Sequence, residues 1–88
     1  MIKKTTTIKN KLGLHARPIA MIVNLANGYS SKIKIKHKNG AADATSAIKL
    51  MLLQVSKDDK VEISAKGPDE VDAVQGIENL ISSGFKKT

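Results

Sequence analysis

The sequence predicts an α+β fold: an open-faced sandwich in which a four-stranded antiparallel sheet is covered on one face by three helices, in the order β-α-β-β-α-β-α. Three observations carry this reading. Lys32-Ile33-Lys34-Ile35-Lys36 and Val61-Glu62-Ile63-Ser64-Ala65-Lys66 alternate apolar and polar residues with period two, as half-buried strands do. The segments around them repeat apolar residues at helical spacing. Lys38-Asn39-Gly40 supplies an Asn-Gly hairpin signal after the first alternating run. Strands separated by helices, with one tight hairpin, favour an antiparallel sheet with its helices gathered on one side.

Taken in order, Ile2 to Ile8 is rich in Thr and β-branched residues and reads as an edge strand. Asn10 to Leu14 forms a turn leading to His15. Pro18 fits the first turn of a helix, where its missing N–H costs nothing. That helix runs to about Asn27, and Gly28 suits a left-handed position just past its end. After the second strand, Ala41 to Asp43 folds back through the hairpin. Ser46 caps a helix from Ala47 to about Val55. Ser56 to Asp59 is a polar turn, and the fourth strand ends at Gly67-Pro68-Asp69. A last helix places Val71, Val74, Ile77, Leu80 and Ile81 on its core face and stops at Gly84.

The 88 residues carry no repeat or linker and read as a single domain, 1–88. A chain of this size buries about 60–65% of the surface exposed on unfolding, so sheet and helices share one thin core. There is no Cys, which excludes disulfides and thiolate metal sites. The lysine-containing start has no apolar run behind it, unlike a signal peptide, and no apolar stretch approaches the ~20 residues of a membrane span. These features predict a soluble cytoplasmic protein with no membrane insertion. Charge is lopsided: residues 1–42 hold Arg17, eight Lys and no acid, giving +9, while the remainder holds six Lys against eight acids, giving −2. Such a field steers acidic partners. Nucleic acid is the rival, but Tyr29 and Phe85 are the only aromatics, too few to stack bases.

The chemistry concentrates in Gly13-Leu14-His15-Ala16-Arg17-Pro18. His15 stands just before a helix whose start Pro18 fixes, so unpaired backbone N–H groups and the positive end of the helix dipole face the imidazole. Such a terminus suits a phosphate. Arg17 is the only Arg beside fourteen Lys, and its planar fork can hold two phosphate oxygens at once. A neutral imidazole is a competent nucleophile near pH 7. The helix terminus disfavours imidazolium before phosphorylation and stabilises the anion after it. His37 ends a Lys-rich strand and reads as solvated. No His-Glu-x-x-His or comparable metal spacing exists, and no cofactor is implied.

Leu12-Gly13-Leu14-His15-Ala16-Arg17-Pro18, the element order and the length resemble HPr, the histidine-containing phosphocarrier family of the bacterial phosphoenolpyruvate-dependent phosphotransferase system, from about Ile2 to Phe85. Asn10-Lys11-Leu12-Gly13, Ala65-Lys66-Gly67-Pro68 and Ser83-Gly84-Phe85 are similar to its nitrogen-related branch, NPr. The resemblance implies that enzyme I phosphorylates His15 on Nδ1 and that EIIA-class proteins collect the phosphoryl group, in sugar uptake or nitrogen-related regulation. It implies that Arg17 stabilises the phosphate and that the Ala16 and Arg17 amides cradle it. The protein is then a carrier with a covalent intermediate rather than a free-standing enzyme. Ile19 departs from the family, where a small residue is usual, and is expected to alter packing only.

Ser46 matches the serine that an ATP-dependent HPr kinase/phosphorylase modifies in many members, although an N-cap role accounts for it fully. Thr45 and Ala47 beside it also depart from the family pattern. Apolar residues surround the second helix, where a helix on a sheet needs only one apolar stripe. Ala47, Ile48, Met51 and Leu52, with Ala20, Met21 and Asn24 of the first helix, are expected to form a partner-docking surface beside His15, in a protein that is itself a monomer. Two other classes compete. One is a regulatory binding module of the same fold, in which phosphate on His15 or Ser46 is only a signal. The other is a basic RNA-binding domain, whose binding would fall steeply with salt. A prosthetic group on Ser46 finds too few acids nearby.

Overall fold

The computed structural model describes residues 1–85. Its elements are β1 (Ile2–Thr7), α1 (Ala16–Ala26), β2 (Lys32–His37), β3 (Gly40–Asp43), α2 (Ala47–Leu52), β4 (Lys60–Lys66) and α3 (Glu70–Ser82). The strands form one antiparallel sheet in the order β1-β4-β2-β3, so β1 and β3 are its edges. This is the open four-stranded sandwich with three helices that the alternating runs predict.

Register explains the single buried face. Ile33 pairs with Ala65 and Ile35 with Ile63, while Lys32, Lys34 and Lys36 pair with Lys66, Ser64 and Glu62 on the other side. The first set is buried beneath the helices and the second is solvated. Period two thus converts directly into two chemically distinct faces. The core joins those strand residues to Ile19, Ile22 and Ala26 of α1, Leu50 of α2, and Ala73, Val74, Ile77 and Ile81 of α3. Ile19 is buried there, so its extra bulk is absorbed by packing. Among the described residues no helix is long and apolar enough to cross a membrane.

Several expectations need correction. Val71 is 62% exposed and Leu80 only half-buried; the inward stripe of α3 is instead Ala73, Val74, Ile77 and Ile81. Val71 belongs to the first helical turn, outside the sheet's shadow. Gly28 is not left-handed: its N–H donates to the Leu25 carbonyl oxygen at 3.0 Å and Tyr29 N–H to that of Ala26 at 3.2 Å, so the chain tightens rather than reversing hand. Gly84 does take the left-handed conformation, with φ +71°. Helix α2 ends at Leu52, because Gln54 turns left-handed at φ +52° and Val55 is used elsewhere. The hairpin loop is Lys38-Asn39, and Gly40 at φ +141° is the first residue of β3.

His37 departs furthest from expectation. It is buried, pointing inward with Ile33 and Ile35 rather than out with the lysines. Asn39 N–H donates to its Nδ1 at 3.2 Å, so Nε2 carries the proton and donates to Asp59 Oδ2 at 2.8 Å. Its Lys-rich neighbours belong to the opposite face.

Candidate functional site

The approach to His15 is fixed by a short turn. Gly13 N–H donates to the Asn10 carbonyl oxygen at 3.1 Å, and the Gly13 carbonyl accepts from both His15 N–H and Asn10 Nδ2. Leu14 is buried and its N–H donates to the Val55 carbonyl oxygen at 3.0 Å. Gly13 has φ +67°, and a β-carbon there would collide with that same Val55 oxygen and lie 2.9 Å from Ser56 Cα. Only glycine fits. His15 is therefore held between two core anchors, Leu14 before it and Pro18-Ile19 after it.

His15 is the N-cap of α1, with extended backbone (φ −105°, ψ −170°), and its side chain makes no capping hydrogen bond. Its carbonyl accepts from Ile19 N–H at 3.0 Å, starting the helix. A helix opens with several amides that lack intrahelical acceptors. Here His15 N–H is taken by Gly13 and Pro18 has none, which leaves Ala16 and Arg17 as the two donors at the tip. Imidazole and guanidinium are both exposed beside them. Neither Asp nor Glu occupies this first turn, so nothing anionic within it competes for the site.

An open cleft of about 500 Å³ brings together Asn10, His15, Arg17, Met21, Gly84 and Phe85. Gly84 and Phe85 arrive from the end of α3, where Phe85 N–H donates to the Leu80 carbonyl oxygen at 3.0 Å. Asn10 Oδ1 is buried without a partner among the described residues. Asn10 and Phe85 stand in segments marked by family resemblance, but neither was legible as a cleft residue, because only the fold brings the third helix's end to the first helix's start. Leu12, three residues before His15, is an apolar side chain in a polar turn and is 73% exposed.

Of the other predicted residues, Ala20 and Asn24 are exposed on α1 and Met21 is half-buried. On α2, which packs beside α1, Ala47 is exposed, and Ile48, Met51 and Leu52 are 74, 54 and 73% exposed. Ser46 caps α2, its Oγ accepting from Lys49 N–H at 3.3 Å. Among the described residues no three His, Asp or Glu side chains converge as a metal site requires.

The family pattern described as "PTS HPr component phosphorylation site" matches residues 2–83. The phosphocarrier protein NPr of Klebsiella oxytoca is 38% identical over 85 residues, covering 96% of this chain and 94% of that protein. The phosphocarrier protein HPr of Treponema pallidum is 34% identical over 87 residues, covering 99% of both. The crystal structure of HPr-C-His from Thermoanaerobacter tengcongensis superposes with a TM-score of 0.94 at 41% identity, over 100% of this chain and 99% of that one. Sequence and fold agree from end to end: the chain belongs to the HPr family of phosphotransferase-system phosphocarriers, and to its NPr branch.

Proposed function

We propose that His15 is the phosphoryl carrier, accepting the group from enzyme I, ultimately from phosphoenolpyruvate, and delivering it to EIIA-class acceptors in the cytoplasm. The observation that carries this is the exposed imidazole at the tip of α1 beside the Ala16 and Arg17 amides, with no side-chain cap bond of its own. A lone pair on the ring, assigned to Nδ1 by family resemblance, attacks phosphorus. The donor's bond to phosphorus breaks as the new N–P bond forms, and the proton on the other ring nitrogen passes to solvent. The two amides and the Arg17 fork then face the phosphoryl oxygens, where charge-assisted hydrogen bonds are strongest. The same groups thus serve the site before and after transfer: the ring makes no capping bond that attack must break, and the donors flanking it meet the phosphoryl oxygens.

The exposed apolar residues of α2, with Ala20, Met21 and Asn24, form the surface on which donor and acceptor dock in turn. Similarity to NPr proteins favours nitrogen-related regulation over sugar uptake as the output. Ser46 is a cap first, and any kinase acting on it disturbs the start of α2. Incubation with enzyme I and labelled phosphoenolpyruvate tests the core of the reading. Acid-labile, base-stable label is expected on the wild type and none on His15→Ala; label persisting in that variant sinks the assignment.

A further inference from the structure

The sheet face opposite the helices carries a charge pattern that phosphoryl transfer at His15 does not use. Strand register puts Lys3, Lys32, Lys34, Lys36, Lys60 and Lys66 on that face, with Glu62 and Asp43 as the only acids, leaving +4. All six lysines are exposed, and among the described residues none forms an ion pair. The Asp43 carboxylate is already engaged, accepting from Thr45 N–H at 2.9 Å and the Thr45 hydroxyl at 2.6 Å. Lys32 lies directly opposite Lys66 on the neighbouring strand. Like charges in register destabilise a sheet, so the fold tolerates a repulsion that Thr or Ser would remove. Lys32, Lys34 and Lys66, with Ser64 and Met1, line a shallow depression of about 190 Å³.

We propose that this face is a reversible electrostatic attachment surface for an anionic phospholipid bilayer. The residue type and the shape select that occupant. Protein interfaces are enriched in Arg and aromatics and depleted in Lys, whereas this face has neither Arg nor an aromatic ring: Tyr29 packs against the core and Phe85 is buried. Single-stranded nucleic acid needs stacking platforms, which are therefore missing. A bilayer surface needs only positive charge brought close over a broad area, and flexible, strongly hydrated Lys head groups on a sheet provide it. Each lysine near an anionic membrane strengthens partition about fivefold. The helix layer, with His15, lies on the other side of the sheet and stays open to partners while the protein is adsorbed.

The test is co-sedimentation of the full chain with vesicles of pure phosphatidylcholine, or of phosphatidylcholine with 40% phosphatidylglycerol, at low salt and at 0.5 M salt. Binding is expected to the anionic vesicles only, and to vanish at high salt. The triple variant Lys32→Gln, Lys34→Gln, Lys66→Gln loses about 100-fold or more, while a control with three exposed lysines off this face changed, Lys4→Gln, Lys11→Gln, Lys57→Gln, loses less than tenfold. Circular dichroism confirms that both variants are folded. No binding to anionic vesicles, equal loss in both variants, or binding shown only to RNA or to an acidic protein overturns the proposal.

Discussion

The imidazole of His37 and the carboxylate of Asp59 meet at 2.8 Å across the end of the sheet, tying the last residue of β2 to the turn that starts β4. The His37 side chain is 1% exposed, and Asp59 also accepts from Ser56 N–H at 3.0 Å. Replacing His37 by Ala removes a packed ring and leaves Asp59 with one partner fewer. The expected loss is about 2–4 kcal/mol in urea unfolding, with phosphoryl transfer per folded molecule unchanged. A loss below ~0.5 kcal/mol would mean that the pair is incidental.

Three aspartates make the fold acid-sensitive. The Ser31 hydroxyl, with the Ser30 and Ser31 amides, holds Asp69 below the usual carboxylate range. The Ser56 amide and His37 do the same for Asp59, and the Thr45 hydroxyl and amide for Asp43. A depressed folded pKa contributes stability that is complete above the unfolded value, about 3.9 for Asp, and is lost as pH falls through the lower folded value. The denaturation midpoint is therefore expected to stay level from pH 7 to about 5 and to fall below about 4. Asp69→Asn, which cannot titrate, flattens that fall; an equally steep decline in the variant removes Asp69 from the account.

These residues also show what the sequence hides. Strand faces, hairpin and helix order were legible because each is a local repeat: Ile33, Ile35, Ile63 and Ala65 declare their side by period alone. The place of His15 and Arg17 at the tip of α1 was legible because Pro18 fixes the helix start next to them. His37 continues the inward period of β2, but a polar side chain surrounded by lysines in sequence invites the opposite reading. Only the arrival of Asp59, 22 residues later, makes its burial tolerable. The length of α2 was hidden for a similar reason, since its end depends on Leu14 claiming the Val55 carbonyl.

Gly13 tests how far that loop sets the site. Gly13→Ala places a methyl group against the Val55 carbonyl and in a left-handed conformation. Backbone strain alone costs about 1–2 kcal/mol, and the collision adds to it, so unfolding stability is expected to drop by about 2 kcal/mol or more. Phosphorylation of the folded variant slows as well, because Leu14 and His15 shift together. Normal stability with normal labelling would show that the loop yields freely.

Arg17→Lys keeps the charge at the helix tip and removes the fork. If charge alone sufficed, labelling by enzyme I would be unaffected. Loss of one charge-assisted hydrogen bond is expected to slow transfer about tenfold or more, equivalent to about 1.5–3 kcal/mol, with stability within ~0.5 kcal/mol because Arg17 is exposed. Rates within twofold of wild type would assign the work to the amides and the dipole.

Ile48 and Leu52 lie one helical turn apart on α2 and are about three-quarters exposed, so neither contributes much to the core that Leu50 and Leu53 fill from the same segment. Exposed aliphatic side chains of this size are a net cost in the isolated protein and are recovered only when a partner covers them. Ile48→Glu or Leu52→Glu is therefore expected to leave the unfolding midpoint within ~0.5 kcal/mol of wild type. The same change slows transfer from enzyme I about tenfold or more by placing a charge in a buried contact. The effect belongs in KM for the donor protein rather than in the rate at saturation, since His15 and its amides are untouched. A rate lost at saturation with KM preserved would assign α2 to the chemistry instead, and unchanged kinetics in both variants would move the docking surface off this helix altogether.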